Sequence, residues 1–224
     1  MSDPSLTTPG STDSSADPDT RRRLLDAAGE VFAESGFRSA TVRDICQKAG
    51  ANVAAVNYHF GDKESLYRAV LENALQSMIA EYPPDYGLPA NPSAEDRLHA
   101  FVHSFLLRVL TGSKRTLLMR MMTREMVEPT QALDRLVETV QKPLFRILHG
   151  IVTELCGPDA PPELVLASAQ AVVAQCLFYK QAEHVICRMG HRVPQTPAEI
   201  APLAKQITEF SLGGMRARMA GVKR

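Results

Sequence analysis

The sequence has no tryptophan, only 6% aromatic residues, and no surplus of either charge, its 25 Lys and Arg balancing 25 Asp and Glu. A neutral chain has no general affinity for nucleic acid or an anionic membrane, so any such contact must come from basic groups placed locally. Catalytic hardware is missing as well. There is no G-x-S-x-G, no phosphate-cradling glycine loop, no H-E-x-x-H and no Cys–His arrangement that stands out, so an enzyme is not expected. The four cysteines, Cys46, Cys156, Cys176 and Cys187, form no C-x-x-C pair and sit in apolar helical patterns, which suits buried, reduced thiols. His184, Cys187 and His191 share a helix face at i, i+3 and i+7, and His99 and His103 do so at i and i+4. Such spacings arise readily by coincidence, so neither a metal nor another cofactor is expected. No uninterrupted apolar run is long enough to cross a bilayer, and residues 1 to 18 lack the basic and apolar regions of a signal peptide. The reading is a cytoplasmic protein with no membrane partner. Residues 1 to 18 are rich in Ser, Thr, Pro and Asp and are expected to form a disordered tail.

What is present begins with Thr41 to Phe60, TVRDICQKAGANVAAVNYHF, around which the remainder can be placed. Thr41 is suited to cap a helix, Asp44 favours its first turn, and Val42, Ile45, Cys46 and Ala49 fall on one face. Gly50 supplies the left-handed turn that ends it. Asn52 can cap a second helix in which Val56 and Phe60 point inward one turn apart. The opposite face is then left with Val53, Ala54, Ala55, Asn57, Tyr58 and His59. Small side chains let a helix approach the floor of a major groove, Asn can pair with a base edge, and Tyr and His can reach phosphate. Arg43, Lys48 and Lys63, with the Arg21-Arg22-Arg23 cluster, are the local basic groups. Two helices about a glycine turn form a helix-turn-helix; an ordinary helical hairpin with a solvated polar face has the same pattern.

The stretch from Arg22 to Leu71 resembles the N-terminal domain of the TetR family of bacterial transcriptional regulators. The resemblance is carried by LLDAA…VFAESGF, then T-V-R-D-I, K-A-G at the turn, Tyr58-His59-Phe60, and Lys63-Glu64-Ser65-Leu66. Many family members have tyrosine where this chain has Asn57, and Pro-Ser where it has Gly61-Asp62. GANVAAVNYHFGDK resembles the CecR-like (also called CerR-like) branch. The resemblance implies DNA-binding residues at Thr41, Arg43, Asn52, Val53, Ala54, Ala55, Asn57, Tyr58, His59 and Lys63.

A first helix is expected from near Asp17 or Asp19 to Gly36, with Leu24, Leu25, Ala28, Val31 and Phe32 as its apolar stripe. A fourth starts after the cap Asp62 and stops at Pro83-Pro84. Helical periodicity continues at about 93–111, 114–127, 130–156, 162–190 and 196–219, so the fold class is all-α. The expected organisation is a tail at 1–18, a three-helix helix-turn-helix domain with its linking helix at 19–81, and a helical effector-binding and dimerisation domain at 82–224. LVLASAQAVVAQCLFYKQAEHVI is apolar around much of its circumference, and Ile200, Leu203, Ile207, Phe210 and Leu212 add a second apolar helix. The resemblance implies a homodimer joined through these two helices, reading a palindromic operator. It also implies a small-molecule effector pocket, for which His103, Arg120, Arg124, Glu125, Gln175 and Tyr179 are candidates. The expected function is a repressor released from its operator by a small molecule; the alternative is a helical small-molecule-binding protein without operator binding.

Overall fold

The structure, a computed structural model, describes residues 18–111 and 113–222. Of the expected tail, only Pro18 lies among the described residues. Eleven α-helices and one five-residue π-helical turn make up the regular structure, with no strand among the described residues. The chain divides into two compact units at Val70 and Leu71. That division falls inside a helix rather than at the expected boundary after residue 81.

The first unit holds α1 (Pro18–Ser39), α2 (Val42–Ala49), α3 (Val53–Phe60) and the opening turns of α4 (Lys63–Glu81). Its core is the predicted stripe of α1, with Leu24, Ala28 and Phe32 packed among Ile45, Val56, Leu66 and Tyr67. The Tyr67 ring meets Phe32 edge-on at 4.8 Å, an arrangement favoured by the ring quadrupoles. Gly36, at φ 78 and ψ 167, interrupts α1 where the sequence reading ended it, and one more turn follows to Ser39.

The second unit carries the rest of α4, then α5 (Ala94–Leu110), α6 (Ser113–Val127), α7 (Gln131–Leu136), the π turn Val137–Gln141, α8 (Lys142–Cys156), α9 (Pro162–Gln181), α10 (Glu183–Arg188) and α11 (Pro197–Val222). Helix α5 is its centre, packed against α8, α9 and α11. Ser93 opens α5 with a reciprocal capping box to Asp96. Leu98, Val102 and Leu106 bury themselves among Leu148, Val152, Ala169, Val172, Ile200 and Ala204.

Two expected helices are subdivided. The one at 130–156 runs through the π turn, and the one at 162–190 breaks at Ala182, which sits at φ −93 and ψ 7. Beyond that break α10 buries none of its residues, so Cys187 is exposed, against the expectation that all four thiols are buried; Cys46, Cys156 and Cys176 are buried. His191 falls outside α10, so His184, Cys187 and His191 do not share one helix. By length and composition α9 could cross a membrane, which the sequence reading did not anticipate, although only 28% of its apolar window is buried in this chain.

Candidate nucleic-acid interface

Local capping sets the geometry of α2 and α3. Thr41 is extended, its hydroxyl accepts the Asp44 N–H at 3.1 Å, and it donates to the Asp44 carboxylate at 2.7 Å. Gly50 ends α2 at φ 61 and ψ 40, the left-handed conformation that a side chain disfavours. Arg23 reaches from α1 and donates to the Ala49 carbonyl at 3.0 Å, so the end of α2 is held from outside. Asn52 then opens α3, its side-chain oxygen accepting the Ala55 N–H at 2.8 Å.

With both ends of the turn fixed, α3 buries Ala55 and Val56 and exposes Val53, Ala54, Asn57 and Tyr58. Ala55, 2% exposed, therefore faces the unit's own core and not a groove, a correction to its place among the expected base-facing residues. It lies three residues from Asn52, on the inward side of the first turn beside Val56. Tyr58, 67% exposed, stands outward with its ring edge-on to His59 at 5.0 Å. His59 is half-buried, and its Nε2 is buried without a hydrogen-bond partner.

The basic groups are less available than their number promised. Lys63 donates to the carbonyls of Phe37 at 2.9 Å and Ala40 at 3.0 Å, and its ammonium stands 4.7 Å from the Phe37 ring centroid. It closes the end of α1, so a phosphate contact, as expected of it, would have to draw the ammonium from these carbonyls. Arg22 pairs with Asp19 at 2.6 Å, Arg21 lies over the Phe60 ring, and Lys48 pairs with Glu30 at 2.6 Å. The Glu30 carboxylate holds the Lys48 ammonium above its ordinary pKa. Arg43 is exposed on α2, with no ion pair among the described residues. The outward face is thus one guanidinium beside a strip of small, amide and phenol side chains.

The six effector candidates do not form one cluster. Glu125, 1% exposed, accepts from the Thr130 N–H at 2.9 Å and its hydroxyl at 3.0 Å, fastening the end of α6 to the start of α7. Arg120 and Arg124 are exposed. Gln175 donates to Ser211 at 3.1 Å, and with Tyr179 it lines an open groove of α9 and α11 shared with Phe178 and Phe210. His103 is half-buried on α5, its ring 6.2 Å from that of Tyr86 and its Nε2 without a partner among the described residues. Sequence reasoning missed Arg108, a buried cation on α5. Its signal was there to read: a lone charge inside the apolar run FLLRVL.

Residues 24–70 match the model of the bacterial regulatory proteins of the TetR family, and residues 94–215 match that of the C-terminal domain of the helix-turn-helix transcriptional dual regulator CecR. The chain belongs to the TetR family. It is a DNA-binding transcriptional regulator whose C-terminal domain is of the CecR type. It is 28% identical over 207 residues to the transcriptional dual regulator CecR of Shigella flexneri, covering 85% of this chain and 86% of that relative. The transcriptional repressor KstR2 of Rhodococcus jostii is 38% identical over 77 residues, 34% of this chain and 38% of its own. Among solved structures, a TetR-family regulator from Streptomyces coelicolor superposes with a TM-score of 0.62 at 18% identity, over 88% of this chain and 96% of its own. A tetR-family protein from Rhodococcus RHA1 gives a TM-score of 0.63 at 19% identity, with the same coverage. These relatives are regulators, and their structures share the fold.

Proposed function

We propose that this TetR-family chain is a cytoplasmic, homodimeric repressor that leaves a palindromic operator when a small molecule occupies its C-terminal unit. The observation that carries the reading is the outward face of α3. Val53, Ala54 and Asn57 lie exposed on a helix whose two ends are fixed by Asn52 and by the Gly50 turn, so a base-reading surface is preorganised. Asn57 would pair with a base edge, Tyr58 and Arg43 would reach phosphate, and Thr41, Asn52 and His59 would hold the face in register.

Dimerisation is supported by the apolar side chains that α9 and α11 leave in solvent, Leu166, Phe178 and Phe210 among them. A second subunit covers them at the groove of Gln175 and Tyr179, which also accounts for the apolarity of α9. Two copies would place two α3 helices about 34–36 Å apart, one DNA turn. Helix α4 begins in one unit and ends in the other, so it is the element through which an effector would bias the reading heads. A coupling of ~1–3 kcal/mol changes operator affinity about 5- to 150-fold, and operator must weaken effector binding by the same factor.

The test is gel retardation with the gene's own upstream region, followed by effector titration with and without operator. Retardation of a specific duplex, relieved by a compound whose affinity falls when operator is added, is the expected result. Binding of a small molecule with no retarded duplex would favour the alternative of a helical small-molecule-binding protein without operator binding.

A further inference from the structure

Among the described residues, the second unit buries a cation without a counter-charge. Arg108, on the last turn of α5, is 5% exposed. Its Nη1 donates to the Tyr82 carbonyl at 2.7 Å, its guanidinium carbon lies 5.7 Å from the Phe105 ring centroid, and its Nη2 is buried with no partner. Burial lowers the guanidinium pKa to about 10, which still leaves it charged at neutral pH. Cys176 on α9 does not neutralise it, because burial pushes that thiol up to about 12 and keeps it protonated. A desolvated guanidinium satisfied by one carbonyl is a costly state that an anion would relieve.

The surroundings restrict which anion. The ring of Tyr82 meets Tyr86 edge-on at 5.3 Å, and Tyr86 meets His103 at 6.2 Å. The His103 Nε2 is the other buried nitrogen of this neighbourhood without a partner, and desolvation lowers its pKa, so the imidazole is neutral. One fixed positive charge, a neutral imidazole and aromatic rings match a monoanion with an apolar body better than a phosphate dianion, which calls for several donors and cations. We propose that Arg108 anchors the carboxylate of an amphiphilic acid whose apolar body lies against Phe105 and the Tyr82–Tyr86 pair. The proposal rests on the reading of this chain as ligand-responsive and names the chemical class of that ligand.

The experiment uses the full chain, with octanoate and benzoate as probes against octanamide and benzamide, read by thermal unfolding and calorimetry. An acid raises the Tm where its amide does not, and Arg108→Gln weakens acid binding about 10- to 100-fold, the loss of a charge-assisted hydrogen bond. Arg108→Met retains the helical circular-dichroism signal, raises the Tm of the ligand-free protein by removing the unpaired charge, and abolishes the response to acid. Four results would each overturn the proposal: equal binding of acid and amide, no shift with either acid, a shift with inorganic phosphate as large as with the acids, or a lower ligand-free Tm in Arg108→Met. Operator release by a neutral compound, undiminished in Arg108→Met, would sink this proposal and leave the ligand-responsive reading standing. Arg108-dependent acid binding with no effect on operator would do the reverse.

Discussion

Lys63 stands over the ring of Phe37 and donates to that residue's carbonyl, so the first residue of α4 closes the end of α1. Removing the ammonium in Lys63→Met leaves carbonyls of the α1 end without their donor, and should cost ~1–2 kcal/mol of stability. If the ammonium stays on these carbonyls when DNA is bound, no phosphate contact is lost with it. The slope of log operator affinity against log salt should therefore stay that of the unmodified protein. A slope shallower by about one contact, at unchanged Tm, would show that the ammonium leaves those carbonyls for DNA.

Ala55 and Asn57 sit two residues apart on α3 and should respond in opposite ways. Ala55→Leu adds an isopropyl group against a packed core and should destabilise by ~1–3 kcal/mol. Asn57→Ala removes an exposed amide, so the Tm should move by no more than about 0.5 kcal/mol equivalent, while discrimination at one operator base pair falls by ~1–3 kcal/mol. Thermal unfolding and binding to single-base operator variants separate the two. Unaltered discrimination in Asn57→Ala would take the amide away from the base edge.

The helix-turn-helix was legible because its signals are local: Thr41, Asn52 and Asp62 accept from N–H groups within three residues, and Gly50 needs only its own φ. What remained hidden depends on partners distant in sequence. Nothing in Arg21-Arg22-Arg23 says that Arg23 will find the Ala49 carbonyl, or that Lys63 will find Phe37. Ala55 was misplaced for a related reason: an alanine carries no hydropathic signal strong enough to choose a face, and three consecutive small residues offered several inward sides. Glu125 looked like a pocket residue because it interrupts an apolar helix, yet the carboxylate serves the Thr130 turn five residues on.

Asp62 gives α4 a pH-dependent start. Hydrogen bonds from the Ser65 backbone and side chain hold its carboxyl below the ordinary value of 3.8, with the Arg68 charge adding to the effect. A folded-state pKa lower than the unfolded one means stability that is fully present above about the unfolded value and is lost as pH falls through the folded one. Asp62→Ala should cost ~1 kcal/mol at neutral pH, the usual worth of a helix cap. Its deficit against the unmodified protein should shrink below pH 3.8. A deficit constant down to acid would mean that the charged carboxylate is not the capping species.

Phe210 and Leu203 lie on the same helix and were both expected at the subunit interface, yet Phe210 is 73% exposed and Leu203 only 7%. Leu203 belongs to the unit's own core, with Leu98 and Val152, so it reports on folding. Leu203→Ala should lower stability by ~2–5 kcal/mol at any protein concentration. Phe210 lines the groove of α9 and α11 beside Phe178, where a second subunit would cover it. Phe210→Asp should leave the isolated chain folded, because the aspartate is solvated there, but would bury an unpaired charge in the dimer and shift it toward monomer. Operator affinity should fall with dimerisation, since one α3 makes only half the contacts. Sedimentation velocity over a concentration series decides the matter: a dimer that persists unweakened in Phe210→Asp removes this groove from the interface.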